Sequence, residues 1–159
     1  MTEILRVSVD RDRTITNGVI AGKYSHVHPE INDDNFFGLG SGRSDVEIFL
    51  LHFGKRMNLK EFLHEFPEQE FAIADLQELL AIGEQFPDLQ RKFPIHAPVP
   101  LVYETSWWLG MGFWLIPFIS CVRGARWISL DWIEFGWTKE TRFAAVRRKQ
   151  KPSIEILAS

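Results

Sequence analysis

One cysteine, Cys121, occurs in 159 residues. A single thiol closes no disulfide within the chain, and no Cys pair is present to build a zinc ribbon. A reducing compartment follows as the simplest expectation, with the cytoplasm as the expected location. The first residues, Met1 to Arg13, carry no apolar run of the kind a secretory leader needs. No Gly-x-Ser-x-Gly elbow, His-Glu-x-x-His helix or Gly-Lys-Ser/Thr phosphate loop is found, so the chemistries those motifs announce have no motif to rest on. No internal repeat and no low-complexity stretch divides the chain. Hydrophobic residues at 45% and charged residues at 25% exclude a disordered polymer. This length fits one domain able to bury its own core, expected over residues 1–150 with a partly frayed tail at 151–159.

Two features are uneven along the chain. All six Trp fall between Trp107 and Trp137. Charge is also divided: residues 1–120 hold 10 Lys+Arg against 17 Asp+Glu, whereas residues 121–159 hold 8 against 4. The basic, aromatic end is therefore where recognition is sought first, although an excess this small does not define a nucleic-acid surface.

The patterning predicts an α+β fold: an N-terminal β-hairpin, three short helices and a C-terminal Trp-rich antiparallel sheet. Leu5, Val7 and Val9 alternate with polar residues as in a half-buried strand. Asn17-Gly18, between Thr14–Thr16 and Val19–Ala21, reads as the two-residue turn of a hairpin. Ser44, Asn58 and Asp75 each precede a Glu by three residues, the spacing of a capping box. Apolar residues follow at helical spacing: Val46, Phe49, Leu50 and Phe53; Leu59, Phe62, Leu63 and Phe66; Leu76, Leu79 and Leu80. One more turn is expected over 88–92. Strands are expected at Leu101–Tyr103, Phe113–Val122, Trp127–Trp132 and Thr141–Arg147, with a tight turn at Arg123–Arg126.

Residues 105–122 contain no charge, a length at the lower edge of a membrane span of ~20 residues. Pro117, Gly110 and Gly112 oppose a helix there, and the next segment alternates like a strand that needs a neighbour. A buried strand pair is therefore expected and no transmembrane helix.

Several constellations bear on function. His26 and His28 fall on one face of an extended chain and, with a carboxylate from Glu30, Asp33 or Asp34 as a third ligand, could hold a divalent metal. Their other reading is a polar loop beside Pro29. Phe37 to Arg43, with three glycines, could cradle an anion if a helix followed; the plain alternative is a turn-rich connection. Trp127, Trp137, Arg123, Arg126 and Arg142 interleave rings and cations, as a binding surface for a protein, a small planar ligand or a nucleic acid would. Against this stands a sheet core with a solvated basic rim, and Trp137, after Gly136, is the Trp expected to be exposed. Asp131, Glu134 and Glu104 offer carboxylates of unknown separation, and Cys121 sits in an apolar strand without a neighbouring His. The third helix carries only acidic charge, which excludes it as a DNA reader. No motif of a known family is completed. The resulting expectation is a non-catalytic binding or interaction protein working through the aromatic and basic surface of the C-terminal sheet. The alternative is a metal-binding domain or metal-dependent enzyme centred on His26 and His28.

Overall fold

The alternation in Glu3–Asp10 produces the first strand, β1, with Leu5, Val7 and Val9 buried and Ile4, Arg6 and Ser8 outward. The structure, a computed structural model, describes residues 2–36, 40–98, 115–132 and 136–148. After β1 come α1 (Ile15–Gly22), β2 (His26–Val27), β3 (Arg43–Leu51), α2 (Leu59–Glu65), β4 (Phe71–Ile73) and α3 (Leu76–Gln85). A 3-10 turn (Leu89–Arg91), β5 (Ile95–His96), β6 (Leu115–Val122), β7 (Ala125–Trp132) and β8 (Arg142–Arg147) complete the order. The strands form one mixed sheet in the order β1-β3-β8-β5-β6-β7-β2, with β4 on β8. Among the described residues, only β5 on β8 and β2 on β7 run parallel.

The class is α+β, and both faces of the sheet are covered. On one face α1 and α3 pack Ile15, Val19, Leu76, Leu79 and Ile82 against Val7, Ile48, Leu50, Ile119, Ile128 and Ala144. On the other, Phe62 of α2 joins Phe49, Leu51, Met57, Phe71, Ile116, Trp137 and Phe143. The capping boxes expected at Asn58–Glu61 and Asp75–Glu78 are present in both directions. The extra turn after α3 is the 3-10 turn. Among the described residues no helix is long and apolar enough to cross a membrane.

Three expectations are corrected. The segment after β1 is helix α1 and not the second arm of a hairpin. Thr14 caps it through Asn17 N–H, and the Asp33 carboxylate accepts from the N–H groups of Ile15 and Thr16 and from the Thr16 hydroxyl. Gly18 is a packing position: a Cβ there would lie 3.1 Å from Leu80 Cδ1, so the glycine lets α1 approach α3 closely. The antiparallel partner of β1 is β3, with Val7 opposite Val46.

The segment from Ser44 is therefore a strand and not the first helix. Its apolar residues are buried on both sides, Ile48 and Leu50 on the α1/α3 face and Phe49 and Leu51 on the α2 face. A run buried on two faces carries helical and strand spacing at once, and pairing with β1 and β8 selects the strand.

The third correction concerns the sheet, which is mixed and includes the N-terminal strands. The β6–β7 turn is also tighter than expected: Arg123 and Gly124, both at positive φ, link Val122 to its partner Ala125. The strand expected at Leu101–Tyr103 and the tail 151–159 lie outside the described residues. Of the uncharged segment 105–122, residues 115–122 form β6. Pro117 carries no N–H, and its carbonyl accepts from Ala97 N–H immediately beyond the end of β5, so the missing donor falls where that strand stops.

Candidate functional site

The structure disperses the five residues expected to form a binding surface. Trp137 is buried at 5% exposure, packed edge-on against Phe62 and Phe143. Its sequence position after Gly136 suggested the surface. Met57 instead pairs with its backbone in both directions and holds it over α2. Trp127 is partly exposed beneath His26, with ring centroids 4.2 Å apart. Arg123 is exposed in the β6–β7 turn. Arg142 lies across the sheet, at the start of β8.

Arg126 is buried and serves the core. Its guanidinium donates to the carbonyls of Gly22 and Gly83, each at 2.5 Å, and to Gln90 Oε1 at 2.9 Å. Gly22 and Gly83 lie in the last turns of α1 and α3, so this cation meets the negative ends of two helix dipoles. Gln90 in turn donates to the carbonyls of Ser120 and Trp127. The Tyr24 ring fills the space beside Gly22 and Gly83, and the Arg126 guanidinium lies 4.9 Å from its centroid. Burial pushes the Tyr24 phenol far above its ordinary range.

His26, His28 and Glu30 do not converge. The His26 ring packs tilted at 35° against Trp127, His28 Nδ1 accepts from Glu30 N–H, and the Glu30 carboxylate accepts from Asn35 Nδ2. Among the described residues no three His, Cys, Asp or Glu side chains are placed to hold a metal ion. The glycine-rich anion cradle also loses its premise. Phe37–Leu39 lie outside the described residues, Arg43 begins a strand rather than a helix, and Gly42 N–H donates to Asp12. Glu104 and Glu134 lie outside the described residues as well. Cys121 is partly exposed in β6, 3.6 Å from Arg91 Nη1.

Cations converge instead at the other end of the C-terminal sheet. An open cleft of about 210 Å³ is lined by His52, Gly54, Lys92, Phe93, Lys139, Glu140 and Arg142. His52, the residue after β3, donates from Nε2 to the Lys139 carbonyl at 2.7 Å and fixes the turn before β8. Thr141 N–H closes that turn on the Thr138 carbonyl. The Arg142 guanidinium is oriented twice: Nη1 donates to the Glu140 carbonyl at 2.6 Å, and Cζ lies 4.2 Å from the centroid of the buried Phe93 ring. Lys92 follows the 3-10 turn. Lys92, Lys139 and Arg142 make no ion pair among the described residues. Three cations about one cleft with a single lining carboxylate set up a field that attracts an anion. Sequence reading reached only Arg142. His52, Lys92 and Lys139 come from three segments, and no local spacing joins them.

A second pair also escaped the sequence. His96 Nε2 lies 3.1 Å from Asp131 Oδ2, and the imidazole stacks on Phe118 with ring centroids 4.7 Å apart. Donation from Nε2–H leaves Nδ1 as an acceptor, and Nδ1 is buried with no hydrogen-bond partner. Burial holds the His96 pKa below its ordinary value, against the opposing pull of Asp131. Phe118, Trp137 and Phe143 surround the ring.

Comparison with protein-family models, with curated proteins and with solved structures finds no match to this chain.

Proposed function

We propose that this chain is a non-catalytic binding protein and that its recognition surface is the basic cleft at the start of β8. The ligand class is anionic: a phosphate or carboxylate group carried by a small molecule or a partner. The observation that carries the reading is the convergence of Lys92, Lys139 and Arg142 on one cleft, none with a carboxylate partner among the described residues. An unneutralised group of cations favours an anion that brings neutralisation, and Arg142, held on Phe93, presents donors already oriented. The proposed surface is basic and reaches the C-terminal sheet through Arg142 of β8, with Lys92 and Lys139 supplied by the flanking segments and none of the described Trp residues lining it.

Calorimetric titration with tripolyphosphate and, separately, citrate tests it at low ionic strength. Lys92→Gln and Arg142→Gln are each expected to weaken binding about 3- to 10-fold, and the double variant further. Binding unchanged in the double variant, or absent from the unaltered protein at millimolar probe, overturns the reading.

A further inference from the structure

β3 and β8 pair only over Phe49–Leu51 and Phe143–Ala145. Beyond Ala145, β8 follows β4 instead, with Ala72 opposite Val146 and Phe71 opposite Arg147. Arg148 N–H continues on that side, donating to the Glu70 carbonyl. Among the described residues, the first half of β3 therefore has β1 on one side and no strand on the other. A notch of about 450 Å³ occupies that place, lined by Ser44, Asp45, Glu47 and Phe49 of β3, by Val146 and Arg147 of β8, and by Glu78.

The backbone phase of β3 is set by its other neighbour. Arg11 N–H donates to the Gly42 carbonyl, extending the β1–β3 ladder. Ser8, opposite Asp45, turns its N–H and C=O away from β3 and onto the Gln85 side-chain amide. In an antiparallel pair, residues opposite each other turn together, toward or away. Asp45 and Glu47 therefore direct their backbone N–H and C=O groups into the notch, where no ladder pair among the described residues meets them. Their side chains are exposed on the same face as Phe49. Asp45 makes no ion pair among the described residues, and Glu47 meets Arg6 only at 3.6 Å on an exposed face. The two cations lining the notch are each paired, Arg11 with Asp75 and Glu78, and Arg147, whose guanidinium lies 4.9 Å from the Phe49 ring centroid, with Glu70.

We infer that this notch accepts an extended segment of a partner, added antiparallel to β3, with a Lys or Arg at every second position. An added strand satisfies the open backbone of Asp45 and Glu47, and side chains opposite those two residues share their face. Alternating cations there meet the two carboxylates. The site lies at the opposite end of β3 and β8 from the basic cleft and does not depend on it.

The probe is an acetylated and amidated peptide of alternating threonine and lysine. Its control has the same sequence and charge, with N-methyl groups on alternate backbone nitrogens. Binding is read by fluorescence anisotropy, and amide shifts of Asp45 and Glu47 by NMR. The methylated peptide is expected to bind at least about tenfold more weakly, and Asp45→Lys with Glu47→Lys to weaken the unmodified peptide by a similar factor. Asp45→Pro, which removes a notch-facing N–H while leaving the β1 ladder intact, is expected to weaken it as well. Equal binding of both peptides would show charge attraction without strand addition and overturn the inference, as would no association at millimolar peptide. The peptide comparison needs no variant to fold.

Discussion

Arg126 Nη1 donates to the carbonyl of Gly22 at 2.5 Å, tying β7 to the end of α1 across 104 residues of sequence. The same guanidinium reaches Gly83 of α3, so one buried cation fastens both helices of this layer to the sheet. Arg126→Met is expected to lower stability by roughly 3 kcal/mol, since it leaves two buried carbonyls and Gln90 without their donor. Urea denaturation measures it. A loss below about 1 kcal/mol would show that water replaces the clamp.

Tyr24 packs against the same two glycines, yet its hydroxyl is buried without a hydrogen-bond partner. Tyr24→Phe is expected to be neutral or slightly stabilising. Gly83→Ala is expected to cost about 1–3 kcal/mol or more, because its Cβ would lie 1.8 Å from the Tyr24 hydroxyl oxygen. Thermal melts should place Gly83→Ala well below the unaltered protein and Tyr24→Phe at or slightly above it. A common loss would contradict the packing described for Tyr24.

Glu78 introduces a pH dependence of known sign. Burial, then the neighbouring Asp75 carboxylate, raises its pKa to about 7, while Arg11 pulls it down. A carboxyl with a raised folded-state pKa favours the fold when protonated. That contribution is complete below the ordinary value of 4.5 and is lost as pH rises toward 7. Glu78→Gln should therefore gain on the unaltered protein between those limits, by on the order of 1–3 kcal/mol. Denaturation midpoints at pH 4, 6 and 8 check this. A difference constant with pH would contradict it.

His96 has the opposite slope. Its depressed pKa keeps the folded ring neutral, so its contribution is present above the ordinary 6.5 and is lost as pH falls below it. Nitrogen-15 NMR at pH 6.5 should find the ring mostly neutral, with the proton on Nε2 facing Asp131. A charged ring at that pH, or a proton on Nδ1, would contradict the arrangement.

These residues also show how far the sequence could be read. α2 and α3 were legible because local signals agreed: Asn58 and Asp75 cap, Glu61 and Glu78 reach back, and apolar stripes follow. α1 was not, because Asn17-Gly18 carries the signature of a hairpin turn, whereas Gly18 belongs to the buried face Ile15, Gly18, Val19 and Gly22, a helical period. β3 imitated a helix because it is buried on both sides. Among the site residues, Arg126 and Trp137 looked like surface recognition groups because composition does not tell an anchored side chain from a free one. The basic cleft depends on the His52–Lys139 bond across 87 residues, which no pattern in the chain announces.

Backbone amide shifts during titration with tripolyphosphate test the central claim most directly. At low salt, the account predicts shifts confined to residues 52–54, 92–93 and 139–142, shrinking markedly near ~0.5 M salt as screening shortens the field. Shifts centred on Arg123 or Arg148, shifts spread evenly over the surface, or none at about 10 mM probe would contradict the cleft as the recognition site.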